Sequence, residues 1–275
     1  MQPCYYKAML RILLIIAVFY GLAVLLLFVF QRKVMYIPSK AIEAPERYGL
    51  RDVHSLTVPS SDGIQLQLWY IKAKTNFPTV LYFHGNAGHI GDRAAIFHAL
   101  SEQGFGVLAL SYRGYGGSSG EPSESGIYDD ARAAIGFLQT QHISLKQIML
   151  FGESLGTGVA TQMATEFDVG ALILQAPYLS VAGRAAEIYY YVPVKWLIHD
   201  KFESIHKITK VKAPLLLFHG ERDTVIPIRH GRELFAAATS PKRAFFMPNV
   251  AHNDFDSSVI SAHVLDFAKE HQLVK

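Results

Sequence analysis

The sequence predicts an α/β protein: a mostly parallel sheet with helices on both faces, a small lid, and a transmembrane helix at the N-terminus. Three observations carry this. Short apolar runs such as Thr79–Phe83, Ile148–Phe151 and Leu215–Phe218 alternate with longer helical patterns. Strands buried on both faces lose the polar alternation of a half-exposed sheet, and helices between them imply parallel pairing. Gly152-Glu153-Ser154-Leu155-Gly156 ends one such run and opens a helical stretch. The nineteen residues Ile12–Phe30 contain no charge and no amide.

At about 1.5 Å per residue, a helix over Ile12–Phe30 approaches the roughly 30 Å hydrocarbon thickness of a bilayer. A cleaved signal peptide would have an apolar region of about 7–15 residues followed by small residues. Here Phe28-Val29-Phe30-Gln31-Arg32 is bulky and then basic. A buried core helix seldom lacks any polar face. Residues 1–33 are therefore read as an uncleaved, single-pass membrane anchor that meets lipid through residues 12–30. Lys7, Arg11 and the terminal amine oppose Arg32, Lys33 and Lys40, so the positive-inside rule leaves the side of the following domain undetermined. Cys4, the sole cysteine, excludes an intramolecular disulfide. Its closeness to the anchor leaves it open to S-acylation, although an unmodified thiol is the simpler state.

Residues 34–50, with Pro38 and Pro45, form a connector, and residues 51–275 are long enough for one large core. Val53–Val58 and Ile64–Ile71 alternate around Ser60-Ser61-Asp62-Gly63, which predicts a hairpin at the sheet's edge. From Thr79 onward, further strands are expected at Val107–Ser111, Ile148–Phe151, Ala171–Leu174, Leu215–Phe218 and Ala244–Met247. Helices are expected near Ala94–Gln103, Ser125–Gln139, Leu155–Glu166, Arg229–Ala238 and Val259–Glu270. The interval 178–213 breaks the alternation and carries Tyr189-Tyr190-Tyr191 and Trp196. A connection this long usually has a function or helices of its own, so it is read as the lid. Its aromatic rings are open to three roles: lining a pocket, facing a bilayer, or packing the lid onto the body.

The chain has a net charge of +3, and residues 1–33 hold four basic and no acidic side chains. Removing those four leaves −1 for the remainder, which gives no electrostatic reason to expect nucleic acid. The histidines show no paired spacing on one helix face of the kind that holds zinc.

Chemistry concentrates at strand ends. The glycines around Ser154 permit a sharp turn that lifts the hydroxyl above the sheet and turns the Leu155 N–H toward a developing oxyanion. Thr79–Phe83 runs into His84-Gly85-Asn86-Ala87-Gly88, a loop able to supply a second donor, the Asn86 N–H. Asp223 follows Leu215–Phe218, and His252 lies in a loop before the last helix. Asp254 and Asp256 are rival carboxylates, but neighbours in one loop rarely orient a ring. His84 and His219 each precede a glycine at a strand tip and are read as loop supports. Arg113 is read as holding its own loop, and Glu153 as bonding either substrate or nearby backbone.

Across roughly residues 50–275 the chain resembles the α/β-hydrolase superfamily. His84-Gly85-Asn86-Ala87-Gly88, Tyr112-Arg113-Gly114-Tyr115-Gly116, Gly152-Glu153-Ser154-Leu155-Gly156, Ala176-Pro177-Tyr178 and His219-Gly220-Glu221-Arg222-Asp223 are similar to its membrane-anchored members. Those include bud-emergence-type hydrolases and membrane-anchored acyl-protein thioesterases. Tyr178 departs mildly, since phenylalanine is common there. The resemblance implies the order Ser…Asp…His, with catalytic Ser154, Asp223 and His252, oxyanion donors Asn86 and Leu155, and no metal or organic cofactor. The expected activity is cleavage of a carboxylic ester or thioester through an acyl-enzyme. The substrate class is then a small-molecule or lipid-like acyl ester, with an acylated protein inside the same chemistry. A peptidase-like hydrolase and a catalytically silent membrane-bound interaction module are the alternatives. Peptidases of this fold usually carry a large N-terminal gating domain, and only about fifty residues precede this core. A dehalogenase or epoxide hydrolase would need an aspartate in place of Ser154.

Overall fold

A computed structural model of the protein describes residues 2–274. Met1, Lys275 and the side chains of residues 2–4, Cys4 included, lie outside the described residues. The centre is an eight-stranded sheet. Its strands are β1 (His54–Pro59), β2 (Gln65–Ile71), β3 (Thr79–Phe83), β4 (Gly106–Leu110), β5 (Ile148–Glu153), β6 (Ala171–Gln175), β7 (Leu215–Gly220) and β8 (Lys242–Met247). Across the sheet they run β8-β7-β6-β5-β3-β4-β2-β1. Every pairing is parallel except those of β2, which is antiparallel to both β1 and β4. The hairpin therefore sits at the edge. β3, β4 and β7 are buried along their whole length, which is why they read as unbroken apolar runs. β8 starts two residues before its apolar signal because Lys242 and Arg243 are exposed edge positions.

Helices cover both faces. α2 (Ala94–Gln103) and α9 (Ser257–Glu270) pack on one through Phe97, Leu100, Val264 and Phe267. α3 (Glu124–Thr140), α4 (Gly156–Glu166) and α8 (Arg229–Ala237) pack on the other through Ile135, Leu138, Val159, Met163 and Leu234. Two of them start at side-chain caps. Ser123 Oγ accepts from the Gly126 N–H, and Asp256 Oδ1 accepts from the Ser258 and Val259 N–H groups.

α1 (Gln2–Met35) is one continuous helix of 34 residues, longer than its uncharged stretch. It is apolar and mostly exposed, long enough to cross a membrane. Its last turn is fastened to the body rather than loosely tethered. Arg32 donates to both carboxylate oxygens of the buried Asp200, at 2.9 and 3.2 Å. Tyr36 Oη and the Glu124 N–H donate to the same carboxylate. Residues 37–38 then pair in parallel with 87–88. Between β6 and β7 lie α5 (Val181–Ile188), α6 (Val194–Leu197) and α7 (Ser204–Lys207). Phe202, Ile208 and Val211 enter the core below, whereas α5 and α6 stand outward with Tyr190 and Trp196 exposed.

Candidate active site

β5 ends at Glu153, and Ser154 adopts φ +50°, a left-handed conformation uncommon for a side chain other than glycine. The surroundings hold it there. A Cβ at Gly152 would collide with the Gly156 carbonyl, and one at Gly156 with the Phe83 carbonyl. Only glycine lets α4 leave this close to the strand ends.

The structure brings Ser154, Asp223 and His252 together. Ser154 Oγ lies 3.0 Å from His252 Nε2, and His252 Nδ1 lies 2.7 Å from Asp223 Oδ2. An ionised carboxylate can only accept, so Nδ1 carries the proton and Nε2 is left to accept from the serine hydroxyl. Asp223 Oδ1 accepts from the Val225 and Ile226 N–H groups at 2.9 and 2.7 Å. Burial alone would raise the Asp223 carboxyl, but the His252 and Ile226 hydrogen bonds outweigh it and hold it below the usual aspartate range. Of the rival carboxylates, Asp256 is occupied as the α9 cap.

Asn86 and Leu155 border the same cavity as Ser154. Neither of their N–H groups donates to a backbone carbonyl among the described residues. The Asn86 carbonyl accepts from the Ile37 N–H at 2.9 Å and from Tyr115 Oη at 2.7 Å. Its side-chain Nδ2 donates to the Met35 carbonyl at 3.0 Å. The end of α1 thus clamps the loop that carries Asn86.

Residues 75–208 match the family described as serine aminopeptidase, S33. A protein of Mycobacterium tuberculosis is 38% identical over 227 residues, covering 82% of this chain and 81% of its own. The Arabidopsis thaliana alpha/beta hydrolase domain-containing protein WAV2 is 32% identical, covering 86% of this chain and 88% of its own. The chain belongs to the α/β-hydrolase family. The Danio rerio lysophosphatidylserine lipase ABHD12 is 30% identical, covering 73% of this chain and 63% of its own. The Pyrococcus furiosus esterase Pf2001 shares the fold, with a TM-score of 0.70 at 18% identity, covering 86% of this chain and 99% of that one.

Around this hydrolase site, Glu153 borders the polar cleft but its carboxylate is taken up by side chains rather than by backbone. Its carboxylate accepts from Arg93 Nη2 and Nε at 2.9 and 3.0 Å and from Tyr82 Oη at 2.7 Å. Both partners' side chains are only 15% exposed. Burial would raise the Glu153 carboxyl, yet Arg93 holds it below its ordinary value. Arg93 Nη1 also donates to the Ala87 carbonyl, so one guanidinium joins the serine turn to the Asn86 loop. Sequence reasoning missed this pairing because sixty residues separate the partners and no local pattern links them. It also gave Tyr178 no mechanism. Tyr178 Oη donates to the Leu155 carbonyl at 2.9 Å and holds the first turn of α4. A phenylalanine lacks that donor.

His84 and His219 are buried supports. His84 Nδ1 bonds the Gly85 carbonyl at 2.7 Å, and its ring packs against Tyr112 and Tyr115. His219 Nε2 bonds the Ile226 carbonyl at 2.8 Å beneath Asp223. Arg113 donates to Asp130 and Asp62, tying its loop to α3 and to the hairpin turn.

Burial pushes the His84 imidazole from 6.5 down to about 3. The unfolded chain takes up that proton near 6.5 and the folded chain only near 3. Stability is therefore fully present above 6.5 and declines as pH falls through that window, by up to about 1.4 kcal/mol per pH unit. Thermal unfolding of the wild type between pH 6.5 and 4 is expected to show this decline, and His84→Gln to flatten it. Equal slopes would show that His84 takes no part.

Ser154 lies where two cavities meet. One, of about 290 Å³, is apolar and runs between α1 and the α5–α6 cap. The other, of about 550 Å³, is more polar and is lined by Arg93, Gln175, His252 and Asn253.

Proposed function

We propose that this α/β hydrolase is a membrane-anchored serine hydrolase that cleaves a carboxylic ester or thioester of a hydrophobic acyl chain. The reading is carried by one observation: Ser154, hydrogen-bonded to His252 and through it to Asp223, lines the apolar cavity. His252 Nε2 takes the Ser154 proton as Oγ attacks the acyl carbonyl carbon. The oxyanion accepts from the Asn86 and Leu155 N–H groups, each worth about 3–4 kcal/mol in sites of this kind. Asp223 stabilises the imidazolium, which then protonates the leaving oxygen or sulfur as its bond to carbon breaks. Water attacks the acyl-enzyme, gives its proton to His252, and the acid leaves as Ser154 recovers its hydrogen.

Residues 1–33 are the anchor, 34–50 join it to the hydrolase domain of 51–275, and the cap lies within 178–213. The lipase named among the relatives supports an acyl ester substrate, and an acylated protein would present the same chemistry at the membrane. The aminopeptidase in the matched family's description offers a second reading, in which a free ammonium must be captured. Asp92 and Glu153, the carboxylates bordering the polar cleft, both already pair with Arg93.

Fluorophosphonate labelling of the full-length, detergent-solubilised protein tests the reading. Wild type is expected to label, and Ser154→Ala and His252→Ala to stay unlabelled. An unlabelled but folded wild type would leave the silent interaction module as the better account. Alkaline carbonate is expected to leave the protein in the membrane pellet; release would refute the anchor.

A further inference from the structure

The apolar cavity has an unusual wall. Val24, Leu27, Phe28, Gln31, Val34 and Met35 line it, all from α1. Their spacing of three and four places them on one stripe of the helix. The wall is continuous in character because its single amide is already occupied. Gln31 Nε2 donates to the Phe28 and Leu197 carbonyls, and its Oε1 accepts from the His199 N–H. Ile188, Tyr189 and Leu197 of the cap also line it, and Ser154 lies where it meets the polar cleft. From Met35 to Val24 the helix rises about 16 Å.

The cap also reaches far along this helix. Tyr20 Oη donates to the Tyr191 carbonyl at 2.6 Å. Tyr20 lies ten residues, about 15 Å, before Phe30, the end of the uncharged stretch. If residues 12–30 cross the bilayer, the cap tip lies within the leaflet. Tyr190 and Trp196, 84% and 90% exposed beside Ile188, leave apolar surface uncovered there.

We infer that the cavity between α1 and the cap is an acyl-chain slot opening sideways into the leaflet, taking the fatty acyl chain of a lipid ester dissolved in the same membrane. The inference rests on the hydrolase and anchor readings above and adds the chain's route and what limits its length. The acyl chain enters between α1 and α5–α6 and lies along Leu27 and Phe28. It brings its carbonyl to Ser154, while the leaving group faces the polar cleft beside His252. The anchor is thereby one wall of the substrate site. Because the chain passes from lipid hydrocarbon to slot, kcat/KM per membrane-dissolved ester is expected to change little with each methylene until the slot is full, and to fall at least tenfold for chains longer than the slot.

The test uses the full chain in phosphatidylcholine vesicles with a series of fluorogenic monoacyl esters from butyrate to palmitate. Fluorophosphonate labelling of each variant is read in parallel. Leu27→Trp, which fills the slot, is expected to lower the long-to-short ratio of kcat/KM at least tenfold. Leu27→Ala, which widens it, is expected to move the length limit upward. Leu25→Trp, at a 54% exposed position outside the slot, should keep the wild-type ratio. Two Leu27 variants that label yet retain the wild-type profile would overturn the slot. A wild type that neither labels nor cleaves any ester would instead overturn the hydrolase reading beneath it. Trp196 reports the depth independently. Brominated phosphatidylcholine is expected to quench the fluorescence that Trp196→Phe removes, and an unquenched Trp196 would overturn entry from the leaflet.

Discussion

Ser154→Ala is expected to lower kcat by about five to six orders of magnitude with little change in KM. On the proposed route the hydroxyl makes the bond to carbon, so its removal would take away the acyl-enzyme path and leave only binding and oxyanion stabilisation. His252→Ala should cost about as much, because His252 Nε2, at 3.0 Å, is the one base hydrogen-bonded to Ser154 Oγ among the described residues. If the two groups act as one unit, as proposed, the double variant should be no worse than either alone. Asp223→Asn should cost about 10⁴-fold by presenting the wrong tautomer to Ser154. Steady-state kinetics on one ester across these variants checks all of this together. Losses that simply multiply in the double variant would mean that Ser154 and His252 do not form a unit.

The second large effect lies in the ion pair behind the serine turn. Arg93→Ala strands a mostly buried Glu153 carboxylate, and breaking a buried pair from one side costs about 3–5 kcal/mol. The same change frees the Ala87 carbonyl from Arg93 and loosens the loop that carries Asn86. A drop in kcat of about 10²- to 10³-fold is expected on top of the lost stability, the size associated with one oxyanion donor. Arg93→Lys should recover little, because an ammonium cannot make the bidentate contact to Glu153. Thermal unfolding and kcat read on the same preparations check it. A midpoint within a degree or two of wild type together with an unchanged kcat would show that Arg93 carries neither burden.

Local signals made much of the molecule legible. β3, β4 and β7 are buried on both faces, so each wrote a continuous apolar run into the chain. The serine turn announced itself because its glycines are imposed by backbone contact within a few residues and with the neighbouring strand end. The Arg93–Glu153 pair, the Tyr178 bond to Leu155 and the Asp200 anchorage of α1 left no such trace. Each joins groups far apart in sequence, and none belongs to a repeated spacing.

α1 marks the boundary most clearly. The length of its uncharged stretch is a property of consecutive residues, as are the strands and the elbow at Ser154. A helix that is apolar on every side carries no periodic mark to single out Val24, Leu27 and Phe28 as a working face. Tertiary structure alone selected that face. The Asp200 clasp, the Asn86 bond to Met35 and the Tyr20 contact to Tyr191 fix the rotation of the helix against the cap. Rotation about an axis is set by partners distant in the chain, whereas a strand, a turn or a span is set by its own residues.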